Sequence, residues 1–503
     1  MSVPQEQMQD QQASTVRQPK RWPLATNPHN RDYTISKDAR LVNCYAELNK
    51  QLGTYEVEKR PGTGAVLYNI GFSASGNGMY LWQRGSAIGE VYAIFGSQLY
   101  KNGAAFGAPL SSPTTVEYFA QIPAGGATAK LMFADNNFGY FTDGTTLTKI
   151  VDANFPTALA SGVIFLDGTF YVMDVNGNIK GSALNDPSTW PALNTIAANQ
   201  EGDFGVYLAR HFTYVVALKS YTCQVFQDAG NPTGSPLSPV PGAFSSYGCL
   251  DGNTVQQIDD VLLWVTISKG QSASPQIARM DDLTARIVSN PFVDRLLSGL
   301  ITIGGGFRSV AMKIAGHRLY IFTCLNATFS LVYDLDQDLF YEWTDSTGTS
   351  FWPFVAFCPR TFPPSTLAGQ MLVQHQINGT IAPIDADFIY PTDVPPASAT
   401  GPPCPVDIYT PNYDGGSTRR KYLKAMYFKS DRVVGSKIIC RFNDNDYAAG
   451  YWSNPREVDL SLVKPRLTDC GTFINRRAYH IHHQSPTPMR IRAIDLQMDF
   501  GTL

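Results

Sequence analysis

Residues 443–446 read Asn-Asp-Asn-Asp, four short oxygen-bearing side chains in a row, followed by Gly450 and the aromatic pair Tyr451-Trp452. Oxygen ligands at such density could hold a calcium ion. An EF-hand-type loop needs them at alternating positions, with glycine sixth and glutamate twelfth. Counted from Asp444, the sixth residue is Ala449 and the twelfth Pro455, so that pattern fails. The Asp-box hairpin of sialidase-like propellers, S-x-D-x-G-x-x-W, shares Asp446, Gly450 and Trp452 in kind but not in spacing. What remains is a structural hairpin, in which Asn and Asp satisfy turn backbone groups and Trp452 packs onto a sheet.

Three histidines follow at 480, 482 and 483. In a strand, His480 and His482 share a face. Two imidazoles could bind a metal, but no third ligand is visible in sequence, and an exposed strand face or a subunit contact needs none. Carboxylates are grouped at Asp259-Asp260, Asp281-Asp282 and Asp334, Asp336 and Asp338. A glycosidase needs two held about 5–10 Å apart, a distance sequence does not supply, and acidic residues at strand turns are ordinary. Arg419-Arg420 and Arg476-Arg477 could meet phosphate or simply face solvent or a neighbour. Gly304-Gly305-Gly306 lacks a following lysine and reads as a turn. There is no G-x-S-x-G, H-E-x-x-H, Walker loop or strand-bound G-x-G-x-x-G. No catalytic, cofactor-binding or metal-binding residue is therefore assigned, and neither a cofactor nor an enzymatic activity is expected.

The elements that carry these residues are strands. Aromatic residues make up 12% of 503, glycine numbers 42 and proline 33, and only 16% of residues are charged. That balance favours strands joined by tight turns over helices. A formal charge of −3 gives no global drive toward nucleic acid or membrane. The eight cysteines lie more than twenty residues apart, as scattered buried thiols do, and contain no C-x-x-C pair. The first residues, MSVPQEQMQDQQASTVRQPKRWP, have no apolar h-region, so a secretory signal is not expected and synthesis in a reducing cytoplasm is. The N-x-T sequons at Asn326 and Asn378 are then chance. No apolar run approaches the ~18 residues of a membrane helix.

From about 40 to 375 one unit recurs: a short apolar strand, a turn, a second apolar strand. VYAIFGSQLYKNG (91–103), KLMFADNNFGYFTDG (130–144), GVIFLDGTFYVMDVNG (162–177) and GHRLYIFTCLNATFSLVYDL (316–335) are instances. Asp143-Gly144, Asp167-Gly168 and Asn176-Gly177 carry hairpin chemistry, since these residues tolerate positive φ. Strand cores recur every 35–55 residues or so, near the period of propeller blades. The spacing predicts an all-β chain: an irregular β-propeller of six or seven blades over 39–375, with stacked β-sandwiches as the alternative. An N-terminal arm (1–38), flexible or partner-bound, precedes it. A Pro-rich insert or linker (376–414) and a separate C-terminal β-sandwich-like domain (415–503) follow. One short helix is expected at 290–301, with Asn290 as cap and Pro291 in its first position.

The order of several segments resembles the tail hub, or nozzle, proteins of short-tailed bacteriophages, also called packaged-DNA stabilisation proteins. Arg40, Asn43 and Tyr45 match an R-x-x-N-x-Y segment, and Arg60, Pro61 and Gly62 the R-P-G turn that follows it. The hairpin at 91–103 matches next, then 168–194 with Ser182, Asp186 and Trp190 in an S…D…W order. In the strand ending YTCQVFQDAGNP, Gln224 stands where that family commonly has an acidic residue, so no role attaches to it. RRAYHIHHQSPTPMRIRAIDLQMD resembles the family's final strand pair. The resemblance runs from about 39 to 500 and does not cover the arm or the Pro-rich insert.

It implies a structural virion protein of the phage tail, made in the host cytoplasm. Such proteins form a homo-oligomeric, hexameric ring below the head-to-tail adaptor. They close and then conduct the exit channel for genomic double-stranded DNA, and they hold tail fibre or needle components. A carbohydrate-active propeller, glycosidase or lectin, is the alternative. A trimeric receptor-binding fibre would show long repetitive β-structure, which is not evident here.

Overall fold

The computed structural model describes residues 20–26, 39–51, 53–84, 89–111, 116–123, 128–267, 269, 274–359, 371–385 and 404–501. Around one axis stand seven inner strands: Gly76–Trp82, Tyr118–Gln121, Ile164–Leu166, Gly205–His211, Gln256–Ile258, Phe307–Ile314 and Phe354–Pro359. Each leads outward through antiparallel neighbours. Five make self-contained four-stranded blades, at 76–105, 118–149, 164–197, 205–245 and 256–287. A sixth self-contained blade joins Phe354–Pro359, Met371–His375 and Thr380–Asp385 to Gly62–Thr63 and Tyr68–Asn69 from near the chain's start. That pairing, Thr63 opposite Ile384, closes the ring. The remaining ring position, 307–343, is the first four strands of a nine-stranded sheet. The structure is thus the expected irregular all-β propeller.

The blades form because their middle strands are apolar on both faces. In Val261–Thr266 the side chains of Val261, Leu263 and Val265 enter one inter-blade core, while Leu262 and Trp264 enter the next. A strand buried on both sides reads as a continuous hydrophobic run, and this one does. Asp167-Gly168 turns between Ile164–Leu166 and Thr169–Met173 with φ of 46° and 87°, the two-residue geometry that Asp-Gly favours. The one α-helix among the described residues, Pro291–Ile303, starts where Asn290 Oδ1 accepts from the amides of Phe292 and Val293. It ends at Gly304, and Gly304, Gly305 and Gly306 all have positive φ, so the triple glycine is a helix stop rather than a phosphate loop.

The last part of the chain is a sandwich, but its strands are not drawn from the C-terminus alone. The nine-stranded sheet continues from Leu339–Trp343 through Arg40–Val42 to Val406–Tyr409, Ala478–His483, Lys437–Asn443 and Arg456–Asp459. Against it packs a seven-stranded sheet built on Arg490–Phe500 and Lys421–Ser430, to which the early strands Cys44–Asn49 and Thr54–Lys59 are added. Lys20–Arg21, inside the stretch read as an arm, pairs with Arg490–Phe500, and Trp22 is buried against Tyr413, Phe473 and Tyr479. The rest of that arm, 1–19 and 27–38, lies outside the described residues. So does 386–403, the middle of the stretch read as a Pro-rich insert; within that stretch Thr380–Asp385 and Val406–Tyr409 are sheet strands rather than linker. All eight cysteines are buried free thiols. Among the described residues, no helix is long and apolar enough to cross a membrane.

Candidate functional site

The motif residues of the first strands meet at one buried junction. Asn43 sits in the left-handed region (φ 55°) between Arg40–Val42 and Cys44–Asn49. Its Nδ2 donates to Thr344 Oγ1 (2.6 Å) and to the Pro405 carbonyl (2.9 Å), and its Oδ1 accepts from Arg60 Nε (3.0 Å) and the Thr344 amide (2.9 Å). The Arg60 guanidinium, 3% exposed, is held by the Thr344 carbonyl, the Pro61 carbonyl and Cys404 Sγ, and lies 5.8 Å from the Trp343 ring. This junction ties the chain's start, the ring and the C-terminal strands together. The Ser182, Asp186 and Trp190 series is likewise structural. Ser182 Oγ accepts from the Phe170 amide, Asp186 caps Ser188, and the Trp190 indole donates to the Pro187 carbonyl.

The grouped charges found in the sequence are dispersed. Asp444 accepts a two-pronged pair from Arg477 (2.6 and 2.8 Å) and Asp446 accepts from Arg476 (2.5 Å), so the Asn-Asp-Asn-Asp turn and the Arg-Arg pair hold each other. Arg477 is buried between Phe442 and Phe473. Trp452 lies edge-on to Tyr409 and His480, on the sheet as expected. Asp259 pairs with Lys313, Asp281 with Arg279 and Arg286, and Asp336 with Arg318. Asp334 takes His317 at 2.6 Å and Asp338 takes the Tyr333 hydroxyl. Each carboxylate has its own cation or turn, and no pair of them flanks a shared cavity among the described residues. Arg419 and Arg420 are exposed. His483 is buried on the opposite face from His480 and His482, on Ser436, and burial lowers its pKa to about 3. His480 Nε2 and His482 Nδ1 both meet Asp407 Oδ1, at 2.7 and 2.8 Å. Burial would raise the Asp407 carboxyl, but these two hydrogen bonds outweigh it and hold it well below the ordinary range.

The propeller axis is concave and lined by strands from all seven ring positions. Two cavities of about 510 and 400 Å³ share Val116, Tyr118, Gly252, Asn253 and Arg308, which form a waist between them. Tyr118 Oη, from the second blade, donates to Asn253 Oδ1 at 2.6 Å, at the entry to the fifth, and so bridges the axis. Tyr207 of the fourth blade packs edge-on against Tyr118 (5.4 Å). Ser309 Oγ donates to the Asn253 carbonyl, and Gln256 Nε2 to the Ser309 carbonyl. Burial lowers the Arg308 pKa against the opposing pull of Tyr118 and Asp251. Glu117, 3% exposed and with neither oxygen hydrogen-bonded, lines the larger cavity; burial, then Asp135, raises its pKa well above the ordinary value. A buried carboxyl in the larger cavity and a single arginine at the waist do not make a phosphate track.

The family model described as "Bacteriophage P22 Gp10, beta-propeller", of the phage stabilisation family, matches residues 37–338. The chain belongs to this family. It is a bacteriophage structural protein with a β-propeller fold. No curated protein matches. Among solved structures it is similar to virginiamycin B lyase from Staphylococcus aureus, at 11% identity, covering 64% of this chain and 97% of that one, with a TM-score of 0.40. It is also similar to BamB from Moraxella catarrhalis, at 11% identity, covering 62% and 85%, with a TM-score of 0.34. At these scores neither bears on function.

The matched region takes in Asn43 and Arg60 of the junction, the S…D…W series, Glu117 and the waist residues Tyr118, Asn253 and Arg308. Sequence reasoning did not single out the waist. Its members come from VEYFAQ, DGNT and FRSV, stretches with no distinctive spacing, and only ring closure brings them together.

Proposed function

We propose that this phage structural protein is a tail nozzle subunit. Copies pack side by side in a ring of six below the head-to-tail adaptor, and the opening they share closes and then conducts the DNA exit. Tail fibre or needle components attach to the same ring. The observation that carries this reading, within the family, is the closed propeller axis. The cavities on either side of the Tyr118–Asn253 bridge hold about 510 and 400 Å³, room for roughly seventeen and thirteen waters at about 30 Å³ each. No duplex passes through such an axis, so a DNA path requires an opening between chains rather than through one. The net charge of −3 accords with a wall along which phosphates slide rather than bind. The carbohydrate-active alternative has less support, because the grouped carboxylates are each engaged at separate turns.

The test is the mass of the purified chain, with negative-stain images of the same sample, alone and after adding the adaptor. A six-fold ring with a central hole in either condition is expected. A chain that stays monomeric with adaptor present and cleaves a polysaccharide would replace the nozzle with the glycosidase reading.

A further inference from the structure

The third ligand that the histidine pair lacks in sequence is supplied by the fold. Val406–Tyr409 lies antiparallel to Ala478–His483, with Asp407 directly opposite His482 and Tyr409 opposite His480. Strand alternation puts His480 and His482 on one face, and the register puts Asp407 between them on that face. His480 Nε2, His482 Nδ1 and a carboxylate oxygen of Asp407 all lie within 4.8 Å of one another.

We propose that Asp407, His480 and His482 form a binding site for a divalent transition-metal ion of the zinc type, with one coordination position open. Two imidazoles and a carboxylate are the borderline donors that Zn²⁺ takes, and three protein ligands with an open fourth position are a recurrent zinc arrangement. Metal–ligand bonds of about 2.0–2.2 Å in tetrahedral geometry put neighbouring donor atoms roughly 3.3 Å apart. The present separations from Asp407 are 2.7 and 2.8 Å, so admission of the ion asks for an opening of about half an ångström at two side chains.

The surroundings fix the donors. The His480 ring is stacked on Tyr409 (4.3 Å between centroids, 5° between planes) with Trp452 at its edge, which leaves Nε2 directed at Asp407. The Arg40 guanidinium lies over the Tyr409 ring, 4.4 Å from its centroid. The Gln484 amide oxygen is 3.4 Å from His482 Nε2 and accepts the proton there, so that Nδ1, on giving up the proton it shares with Asp407, turns its lone pair to the metal. A cavity of about 300 Å³, lined by Asp407, Ile439, Arg441, His480 and His482, opens onto the three donors and leaves room for the fourth ligand. Arg441 opposes a bare cation there and selects for an anionic or hydroxide fourth ligand, which its charge would hold. The ion would clamp two strands of the sheet that links the ring to the C-terminal strands. None of this rests on the ring or nozzle reading.

The test uses the full chain, stripped with chelator and titrated calorimetrically with zinc chloride. One ion per chain at a dissociation constant of about 10 µM or below is expected. Asp407→Asn and His482→Gln should each weaken binding at least about tenfold, while Asp260→Asn, an exposed carboxylate of the fifth blade, leaves it unchanged. X-ray absorption at the zinc edge of the wild-type chain reads the ligands without any variant and should show two imidazoles and no sulfur. Absence of stoichiometric binding, a sulfur-containing shell, or folded Asp407 and His482 variants that bind like wild type would each overturn the site.

Discussion

Replacing Asn43 tests the junction that joins the chain's start to its ring and its C-terminal strands. Alanine removes four side-chain hydrogen bonds in a site with 0% exposure. A buried hydrogen bond contributes about 1 kcal/mol net, and each partner left bare costs about 1–3 kcal/mol. Thr344 Oγ1 keeps a bond to the Asp345 carbonyl, but the Thr344 amide and Arg60 Nε have no replacement among the contacts seen. Alanine must also hold φ of 55°, at about 1 kcal/mol. The expected loss is about 4–6 kcal/mol, a large share of the 5–15 kcal/mol typical of a domain. Asn43→Gly loses the same bonds but not the backbone term, so it should be about 1 kcal/mol milder.

Native-state hydrogen exchange of segments 40–46, 57–63, 340–346 and 404–409 is the fitting assay, because it reads the local opening free energy where unfolding of a chain this size need not be two-state. All four segments should lose protection together in Asn43→Ala, and less so in Asn43→Gly. Protection within 1 kcal/mol of wild type would refute the junction as a stabilising unit. Identical behaviour of the two variants would refute the backbone term.

Gly162→Ala should destabilise by more than about 2 kcal/mol, since φ is 90° and the new Cβ would stand 2.3 Å from the Leu208 carbonyl oxygen; Gly53→Ala, at φ 62° with open space around it, should cost only about 1 kcal/mol in the same thermal unfolding assay. Trp22→Ala should cost about 3–5 kcal/mol and expose segment 490–500 to hydrogen exchange, because the indole fills a core and bonds Thr410. Burial disfavours the charged His317 ring, but the Asp334 hydrogen bond prevails and raises its pKa. A raised folded pKa gives stability that is full below the unfolded value near 6.5 and is lost as pH rises through the folded value. His317→Asn should therefore trail wild type more at pH 5.5 than at pH 9, and a pH-independent gap in denaturant midpoints would count against the pair. Burial pushes the thiols of Cys223, Cys249, Cys324 and Cys440 up to about 12. A thiol reagent at pH 8 should find almost none of the eight in the native chain and all eight in denaturant.

What could be read from the sequence was local. Asp167-Gly168, the two-faced strand VLLWVT and the Asn290-Pro291 helix start each specify their geometry within a few residues. Asp444 and Arg477 were both visible as charged clusters, yet their pairing was not, because 33 residues and a strand register separate them. The same holds for Asp407, 73 residues from His480. One residue of slip would turn it to the other face. The waist was illegible for a further reason. Tyr118 and Asn253 are 135 residues apart, and their contact exists only once intervening blades have closed. The composite sandwich escaped because Arg40–Val42 is a short strand whose partners, Leu339–Trp343 and Val406–Tyr409, lie hundreds of residues away.

That composite sheet constrains how a nozzle could open. Its order begins at Phe307–Ile314, which lines the axis, and ends at Arg456–Asp459. Nine strands at about 4.8 Å spacing make one hydrogen-bonded plate about 38 Å across. The Asn43–Arg60 junction pins this plate next to Arg40–Val42, and the second sheet of the sandwich packs against it. A hinge between propeller and sandwich would have to break the ladder at Leu339–Trp343, Arg40–Val42 or Val406–Tyr409, and with it the buried bonds of Asn43. A ring of such chains therefore opens most cheaply where no ladder crosses, at the contacts between neighbouring subunits or in segments outside the two sheets. Opening by rigid-body movement of whole chains would leave exchange protection at 40–46 and 404–409 unchanged between closed and DNA-conducting rings. Loss of protection there on opening would place the hinge inside the subunit.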